Sequence, residues 1–500
     1  MTPSIHCLVT IFSLLMTSVV RGEDWPQFRG PNCSGVSASQ DPLPFEFYDT
    51  EDGEQKNVLW SVPLGDGVGS PAVAAGRVFT AGMIDKQTVG LFAFDATTGK
   101  PLWQRQWPTG PLAEISQVNS YASSTPAADD QRVYFYFATL GMLCVDAASG
   151  EDVWQKQLPT PFFVFKWGPG MSPVLHKELL LFCQDDDLNP ALYAIDKRTG
   201  QIRWQDDRLD MAVNYSHPVI CTTDAGDEIV VAGTGLLIGF DPASGRRKWW
   251  ARVLLRNIKS TPVVLDGVVY VTVVSQGIAY QWLAVADTSA TGNRDGKVSK
   301  EEIQAAVGDV QVPDQFFKRT FERGDLNRDG VLEGEELDAA FLHPDNFAGA
   351  RFDAADPSER FLLAVRGGGE GDVTGTHVMW RQQPKNMDSI PSPLVVNNRL
   401  WLIRDGSIAS CHEIDHGELV WGPKRVGDAS KYYASPVCGD GKIFLAGENG
   451  QVVVISDREQ PEVLATNNLG NDILGTPAIS DGRLFLRARK KLVCIADLGK

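Results

Sequence analysis

Short apolar segments alternate with polar turns along most of the chain, and the alternation repeats at a nearly constant period. Each repeat begins with a proline that follows Ser, Thr or His and leads into apolar residues, as expected for short β-strands. The prolines are Pro71, Pro126, Pro173, Pro218, Pro262, Pro393, Pro436 and Pro477. Most of them lie 41 to 55 residues apart, a spacing typical of one blade of a β-propeller. The pattern therefore predicts eight blades.

A second phrase, Asp-x-x-Thr/Ser-Gly-x-x-x-Trp, marks a turn and the outer strand that follows it. Its Asp side chain can accept backbone amides of the turn, its Gly can take a positive φ, and its Trp can pack between neighbouring sheets. The four full copies cover residues 95–103, 146–154, 196–204 and 241–249. Together the two phrases predict four-stranded sheets stacked radially, in which repetition protects the strand edges.

The two ends of the chain complete each other. Residues 57–63 resemble only the outer strand of a repeat, whereas the last repeat, which starts at Pro477, lacks that strand. Pairing the two ends removes an exposed sheet edge and closes the ring. The predicted fold class is all-β, an eight-bladed β-propeller closed by its N- and C-terminal strands. The alternative is a seven-bladed ring with a stray strand, and the eight proline units argue against it.

The fifth repeat is interrupted. Pro262 and Pro393 lie 131 residues apart, which leaves more than 80 residues beyond a normal blade. The extra segment, 278–358, is polar and has the pattern of helices. The predicted propeller is therefore divided. Residues 57–277 form blades 1–4, the first half of blade 5 and the closing strand of blade 8, and residues 359–500 form the rest of blade 5 and blades 6–8.

Within the insertion, residues 325–336 match the twelve-residue EF-hand loop, which surrounds one Ca²⁺ ion with hard oxygen ligands. Helix-patterned segments flank the loop, and Gly330 stands where the loop needs its sharp turn. The alternative is an acidic, solvated loop without an ion. The predicted ligands are Asp325, Asn327, Asp329, the backbone carbonyl of Val331, and Glu336, with Glu333 acting through a water molecule.

A partner loop precedes it at 291–302 and is less complete. Thr291 takes the first position, where the EF-hand pattern requires an acid, so we expect a weak or purely structural calcium site. Asp287 can compensate if the loop is distorted. The entering segment, 278–286, has a pattern as compatible with a strand as with a helix. The predicted ligands of this loop are Asn293, Asp295, Lys297 through its carbonyl, and Glu302.

Residues 1–22 resemble a secretory signal peptide. The apolar run from Cys7 to Val20 is too short to span a membrane, and no later stretch has the length and hydropathy of a transmembrane helix. The segment predicts an extracytoplasmic protein, periplasmic or secreted, and the alternative is an N-terminal anchor that is never cleaved. Residues 23–56 form a lead-in that does not repeat.

The charge composition limits the classes of binding partner. Lys and Arg number 46 against 63 Asp and Glu, and the net charge of -17 argues against nucleic acid or an anionic membrane as the main partner. The charge suits cations, or serves solubility alone. Seven cysteines follow residue 22 at scattered positions, several of them within apolar strands. We expect them to be free and buried, although the sequence leaves room for one disulfide.

The repeat Ala-x-Asp-x-x-Thr-Gly-x-x-x-Trp resembles that of the pyrroloquinoline quinone (PQQ) dehydrogenases, which are eight-bladed propellers. Non-enzymatic relatives share this repeat, among them the propeller lipoprotein of the outer-membrane assembly machinery. With the lead-in Trp25-Pro-Gln-Phe-Arg-Gly30, the chain most resembles secreted bacterial PQQ-binding-like propellers. The resemblance covers roughly 24–277 and 359–497, and it is more specific for the fold than for any chemistry.

The resemblance implies a test for enzymatic activity. The dehydrogenases typically place an adjacent Cys-Cys disulfide over the quinone, and this chain has no such pair. Their catalytic Asp and calcium-binding Glu and Asn match no positions here, so no catalytic residue is assigned. The favoured function is a calcium-binding scaffold with a protein or polysaccharide partner. The alternative is a PQQ-dependent dehydrogenase that acts on an alcohol or sugar.

Two further groups of residues bear on chemistry. His412-Glu-Ile-Asp-His416 matches a zinc-protease pattern, but that chemistry needs a helix, and the repeat predicts a strand and a turn here. Polar residues that precede the inner-strand prolines can line the mouth of the central channel, although ordinary turn chemistry explains them equally well. They are Asn119, Tyr121, Lys166, Trp167, Asn214, Tyr215, Asn257, Lys259 and Lys431.

Overall fold

The computed structural model describes most of the chain beyond the predicted signal segment 1–22, which lies outside the described residues. No helix in the described part is long and apolar enough to cross a membrane. The described ranges are 23–49, 53–163, 166–208, 214–253, 258–276, 283–306, 312–341, 358–384, 387, 390–470 and 472–499.

Eight antiparallel sheets form a closed ring, so the prediction of an eight-bladed propeller is confirmed. Seven neighbouring pairs of inner strands contact one another around the axis, including the last with the first. The lead-in strands are β1 (Tyr48–Asp49) and β2 (Gln55–Lys56), followed by β3 (Val58–Pro63). Blade 1 contains β4 (Ala72–Ala74), β5 (Arg77–Asp85), β6 (Thr88–Asp95) and β7 (Pro101–Pro108). Blade 2 contains β8 (Ala127–Ala128), β9 (Arg132–Phe137), β10 (Gly141–Asp146) and β11 (Asp152–Lys156).

The next blades continue in the same order. Blade 3 contains β12 (Val174–His176), β13 (Leu179–Gln184), β14 (Ala191–Asp196) and β15 (Ile202–Asp207). Blade 4 contains β16 (Val219–Thr223), β17 (Gly226–Ala232), β18 (Leu236–Phe240) and β19 (Arg247–Arg252). Blade 5 contains β20 (Val263–Leu265) and β21 (Val268–Gln276), and later β24 (Ser358–Arg366) and β26 (Val378–Gln382).

The last blades complete the ring. Blade 6 contains β27 (Leu394–Val396), β28 (Arg399–Arg404), β29 (Ile408–Glu413) and β30 (Leu419–Arg425). Blade 7 contains β31 (Val437–Gly439), β32 (Lys442–Ala446), β33 (Gln451–Ser456) and β34 (Val463–Asn468). Blade 8 contains β35 (Ala478–Ser480), β36 (Arg483–Ala488) and β37 (Lys491–Ala496).

The N-terminal strand β3 pairs antiparallel with β37 and supplies the outer strand of blade 8, as the sequence predicts. The pairing joins Trp60 to Cys494 and Pro63 to Lys491. The chain ends therefore meet within one sheet, which leaves no unpaired edge at the seam.

The Asp–Trp phrase joins five of the blades to the next one around the ring, whereas Trp249 donates to Glu228 within blade 4. In the turn after β6, the Asp95 carboxylate accepts the amides of Thr97 and Thr98, and Gly99 takes a φ of 68°. The Trp of the preceding blade then lies on this glycine, and its indole N–H donates to a carbonyl of the same turn. Trp60, Trp103, Trp154, Trp204 and Trp380 donate to the carbonyls of Ala96, Ala147, Lys197, Pro242 and Ile414 over 2.8–3.2 Å.

The Ser and Thr residues before the inner-strand prolines form a second set of links between blades, around the axis. At six of the eight positions the backbone amide donates to the hydroxyl of the equivalent residue in the next blade, over 2.9 to 3.2 Å. The amides of Ser70, Thr125, His217, Thr261, Ser392 and Ser435 donate to the hydroxyls of Thr125, Ser172, Thr261, Ser392, Ser435 and Thr476. These bonds explain why the repeat begins with a hydroxyl residue.

The lead-in crosses one end of the ring and contacts seven of the eight blades, which its sequence does not reveal. Its central residue is Arg29, which is fully buried and donates to the carbonyl of Pro393 over 2.7 Å. The other blade residues in contact are Val73, Ala128, Leu175, Ile220, Cys438 and Ser480. The lead-in therefore acts as a strap across the ring.

The insertion leaves the fifth blade between β21 and β24, which pair along their whole length from Val268–Arg366 to Gln276–Ser358. A π-helical turn (Leu283–Asp287) precedes β22 (Lys297–Ser299) and α1 (Lys300–Ala306). The rest of the insertion contains α2 (Asp314–Gly324), β23 (Val331–Glu333) and α3 (Glu335–Phe341). The predicted limits 278 and 358 adjoin ranges outside the described residues, 277–282 and 342–357.

The insertion has a small core of its own, centred on Phe316, Phe321 and Leu332. Short elements β25 (Gly371–Asp372) and α4 (Thr374–His377) lie between the last two strands of blade 5, and β25 extends the sheet of blade 4. The seven cysteines are free and buried, as the sequence predicts. They are Cys33, Cys144, Cys183, Cys221, Cys411, Cys438 and Cys494.

Candidate functional site

Hydrogen bonds from backbone amides to acidic and amide side chains hold the loop 325–336 together. Helix α2 ends at Gly324, and the two oxygens of Asp325 accept the amides of Asp329 and Gly330, each over 3.0 Å. Asn327 Oδ1 also accepts the amide of Asp329, over 2.8 Å. Glu336 lies at the other end of the loop and closes it, because its Oε1 accepts the amides of Leu326 and Asn327 over 3.0 and 3.1 Å.

The second oxygen of Glu336 is the unusual atom of this loop. Glu336 is only 8% exposed, and its Oε2 is buried without a hydrogen-bond partner. A buried carboxylate oxygen without a partner is costly unless a cation or donor satisfies it. The oxygen-rich donor set of this loop, with Glu336 able to bind through both oxygens, fits Ca²⁺.

The first loop reaches the same geometry through a different residue from the one that the spacing indicates. Asp287, not Thr291, accepts the amides of Asp295 and Gly296, over 2.9 and 3.2 Å. These are the same two bonds that Asp325 makes in the second loop. Thr291 instead pairs with the hydroxyl of Ser289. The first loop is therefore lengthened by four residues between its first and second ligand positions.

The remaining ligand positions of the first loop are assembled around Asp287. Glu302 Oε1 accepts the amide of Asn293 over 3.2 Å, as Glu336 does for Asn327. Carboxylate oxygens of Asp287, Asp295 and Glu302 lie within 4.8 Å of one another. The shared tetrapeptide Asn-Arg-Asp-Gly at 293–296 and 327–330 is the signal that aligns the loops from Asn293 onward. Counting back by fixed spacing from there leads to Thr291 instead of Asp287.

A two-stranded ribbon holds the two loops side by side. Strands β22 and β23 pair through Val298 and Leu332, both fully buried. The Lys297 ammonium forms an ion pair with Glu333 over 2.9 Å, so the backbone carbonyl of Lys297 remains its candidate ligand atom. The structure thus brings three carboxylates of the first loop together and closes both loops through hydrogen bonds to their last Glu, and the calcium assignment itself stays a prediction.

A cavity of about 380 Å³ occupies the mouth of the central channel, and we call it the funnel. Four of the polar residues singled out in the sequence line it, namely Asn119, Trp167, Tyr215 and Lys259. Its lining residues within the described part of the chain include no Asp or Glu. The Lys259 ammonium lies 5.8 Å from the centroid of the Trp167 ring.

The other polar residues of that group do not line the funnel. Lys166 pairs with Glu114, Tyr121 donates to the carbonyl of Ala113, and Asn214 is buried beside Asp185. Lys431 borders a separate surface cavity. Asn257 lies outside the described residues.

Two more residues, Phe28 and His217, line the funnel although the sequence did not point to them as channel residues. Phe28 comes from the lead-in and stacks on His217, with ring centroids 4.3 Å apart. Burial, together with the smaller effect of the charge on Arg29, lowers the pKa of His217 to about 3, so the imidazole is neutral. Its Nδ1 faces the hydroxyl of Thr261 at 2.9 Å, and its buried Nε2 has no partner.

The zinc-protease pattern is a strand and a turn, as the sequence predicts. His412 is the second-last residue of β29, and its side chain is buried. Its Nδ1 lies 2.9 Å from the carbonyl of Gly417. Glu413 takes the place of the turn Asp and accepts the amides of Asp415, His416 and Glu418. The two histidines therefore do not converge on one site.

Comparison with known proteins settles the family. The model of a PQQ-type repeat family, described as Outer membrane protein assembly factor BamB, matches residues 47–164 and 168–316, just over half of the chain. The chain belongs to this family. BamB of Yersinia pestis is 25% identical over 411 residues, which cover 79% of this chain and 87% of the relative.

A second relative is an enzyme. Polyvinylalcohol dehydrogenase of Sphingopyxis sp. (strain 113P3) is 23% identical over 304 residues, which cover 48% of this chain and 45% of the relative. The match thus spans less than half of that enzyme.

Solved structures support the fold. BamB from Moraxella catarrhalis superimposes with a TM-score of 0.52 at 12% identity, covering 89% of this chain and 98% of that chain. Quinohemoprotein alcohol dehydrogenase from Comamonas testosteroni gives a TM-score of 0.51 at 10% identity, covering 96% and 81%. At these identities the likeness establishes the propeller architecture alone.

Proposed function

We propose that this protein is an extracytoplasmic, calcium-binding β-propeller that acts as a scaffold for a protein partner. The signal-like segment 1–22 supports the location. The name of the Yersinia pestis relative, an outer membrane protein assembly factor, supports a role in protein binding. A polysaccharide is the alternative partner.

The observation that carries the calcium proposal is the buried, unpartnered Oε2 of Glu336. In the second loop the ion would be held by Asp325, Asn327, Asp329, the carbonyl of Val331, and Glu336. In the first loop it would be held by Asp287, Asn293, Asp295, the carbonyl of Lys297, and Glu302. A divalent ion offsets the repulsion among the carboxylates of each loop and joins the start of the loop to its closing Glu.

Native mass spectrometry and calorimetric titration with Ca²⁺ test this proposal. We expect two bound ions, and Glu336→Gln should remove the ion of the second loop by weakening its affinity at least tenfold. Glu335→Gln is the matched control, because Glu335 is the exposed neighbour on the same helix and is no ligand. Unchanged calcium binding in Glu336→Gln would contradict the site.

A second candidate function is that of a PQQ-dependent dehydrogenase acting on an alcohol or sugar. One observation favours it: the funnel combines Lys259, whose ammonium can pair with an anionic group, with Trp167, whose indole can stack on a planar ring. When bound, the quinone would supply the redox chemistry. However, the described funnel lining offers no carboxylate to act as a base on the substrate.

Native mass spectrometry with added PQQ distinguishes the two candidates. A stoichiometric, saturable adduct that Lys259→Ala abolishes, together with dye reduction by an alcohol or sugar, would establish the dehydrogenase. Calcium adducts without a quinone adduct would favour the scaffold, and pull-down with candidate protein partners would follow.

A further inference from the structure

Among the described residues, the insertion packs against two loops of the propeller, the one that leads from blade 2 into blade 3 and the one after β13. Phe316 of α2 meets Phe162 edge to face, with ring centroids 6.4 Å apart and planes at 65°. Leu188, from the loop after β13, packs against the same insertion core. Phe316 and the first calcium ligand belong to one rigid unit, because α2 runs directly into Asp325, whose amide donates to the carbonyl of Phe321.

The two propeller residues in this contact are fastened to each other. The carboxylate of Asp186 accepts the amides of Phe162 and Leu188 over 2.8 and 3.3 Å. It also accepts the amide of Asn189, and the amide of Asp187 donates to the carbonyl of Phe162. Displacing Phe162 would therefore move the loop 185–189 as well.

From Phe162 the contacts continue into the funnel wall. The next residue, Phe163, stacks on Tyr215 with ring centroids 5.7 Å apart. Tyr215 lines the funnel, and its amide donates to the carbonyl of Ile258, the residue before Lys259. Two ring contacts thus separate helix α2 from the funnel wall.

We propose that calcium binding in the insertion orders the funnel wall through the contact of Phe316 with Phe162 and of Phe163 with Tyr215. The inference rests on the proposed calcium sites and adds that ion binding there changes the order of the funnel wall. Without an ion, repulsion among the loop carboxylates and the unpaired oxygen of Glu336 loosen the packing of α2 against α3. Phe316 then no longer supports Phe162. Thermodynamic linkage requires that a funnel ligand which favours the ordered wall strengthens calcium binding by the same factor.

Hydrogen exchange of the full chain with and without Ca²⁺ tests the coupling. We expect calcium to slow exchange in peptides covering α2 and the loop 325–336, and also in those covering 158–163 and 214–217. A coupling of ordinary strength predicts at least about fivefold slower exchange at the distant peptides. Phe162→Ala should keep the calcium response of the insertion and abolish that of 214–217.

Two further variants complete the experiment. Phe162→Leu keeps an apolar side chain but lacks the ring edge, and it replaces Phe162→Ala if that variant fails to fold by circular dichroism. Phe45→Ala is the matched control, because Phe45 is a half-exposed aromatic residue of the lead-in. It should respond to calcium as the wild type does.

The outcomes separate the two proposals. Calcium that binds and protects the insertion while 158–163 and 214–217 exchange at unchanged rates would overturn the coupling and leave the calcium sites standing. Calcium that neither binds nor changes any exchange rate would overturn both. A response of 214–217 that persists in Phe162→Ala and Phe162→Leu would show that the coupling does not pass through Phe162.

Discussion

Single carboxylates organise the two loops of the insertion. Glu336 places one oxygen on the loop amides and leaves the other buried without a partner. In the first loop, Asp287 makes the hydrogen bonds that Asp325 makes in the second loop, although it stands four residues earlier than the EF-hand pattern requires. The backbone of the first loop accommodates the four extra residues, so the Asp287 carboxylate still accepts the amides of Asp295 and Gly296.

We predict that Asp287→Asn weakens calcium binding in the first loop at least tenfold, whereas Thr291→Ala leaves it unchanged. Removing a ligand charge lowers calcium affinity, and the Thr291 hydroxyl makes its bond to Ser289 outside the ligand set. Calorimetric titration of the two variants in a Glu336→Gln background isolates this loop. Loss of binding in Thr291→Ala alone would restore the spacing-based assignment.

Burial of Asp186 predicts a pH dependence of stability. Burial raises the pKa of this carboxyl from 3.8 to about 6, against the opposing effect of its bonds to the Phe162 and Asn189 amides. Between these values the folded protein binds the proton more tightly than the unfolded chain. The free energy of unfolding therefore falls by up to about 3 kcal/mol as the pH rises from about 4 to about 6. Above that range this contribution is constant.

Denaturant unfolding of the wild type and of Asp186→Asn at several pH values measures this contribution. The stability of the wild type relative to the variant should fall between pH 4 and 6, because other titrating groups, including the salt-bridged Asp196, act in both proteins and cancel. A constant difference across that range would contradict the elevated pKa.

At the scale of elements, five blades are joined to the next one by a Trp of the outer strand that lies on the neighbouring turn. Trp103 of blade 1 lies on the turn of blade 2, where a Cβ on Gly150 would come within 2.7 Å of the indole. Gly150 has a φ of 74°, so the glycine is required both for the backbone conformation and for the close approach of the ring.

Comparison of Gly150→Ala with Gly76→Ala separates these two requirements. Gly76 has a φ of 73°, and a Cβ there would meet nothing within 4 Å. We expect Gly76→Ala to cost about 1 kcal/mol of unfolding free energy from backbone strain alone. Gly150→Ala should cost a further 1–3 kcal/mol from overpacking against Trp103. Equal costs in denaturant unfolding would show that the indole contact contributes nothing.

For the whole molecule, closure of the ring depends on the seam, the place where β3 pairs with β37. Strand β3 is held to blade 8 by pairing with β37 and to blade 1 by Trp60, which lies on Gly99. The equivalent strand of blade 1, β7, is also tied to its own sheet by the hairpin from β6. The seam strand has no such covalent neighbour in its sheet.

We predict that Trp60→Ala opens the seam, whereas Trp103→Ala loosens only its own joint. Truncating a buried Trp costs about 3–5 kcal/mol, which at the seam frees β3 and exposes the edge of β37. Hydrogen exchange should report at least about hundredfold faster exchange over 491–496 in Trp60→Ala and nearly wild-type exchange there in Trp103→Ala. Similar exchange of 491–496 in both variants would argue against a special seam.

Much of the architecture follows from local chemistry. The turn phrase, with residues such as Gly99, and the hydroxyl-Pro phrase recur along the chain, so the sequence predicts the number of blades. The repeat that starts at Pro477 lacks its outer strand, which predicts the closure of the ring by the N-terminal strand. The positions that were missed depend on contacts between distant residues. Phe28 and Arg29 lie in a lead-in without a pattern, and only the closed ring brings them against His217 and Pro393.

The eight blades, the closing strand and the two acidic loops are predictable from local patterns, because turns, strand alternation and ligand spacing are properties of neighbouring residues. Three features emerge only in the folded molecule: Asp287 takes the place of Thr291, the lead-in straps the ring, and the insertion packs on the propeller through Phe162. Each of these depends on how segments far apart in the chain share space in the folded molecule, which no local spacing encodes.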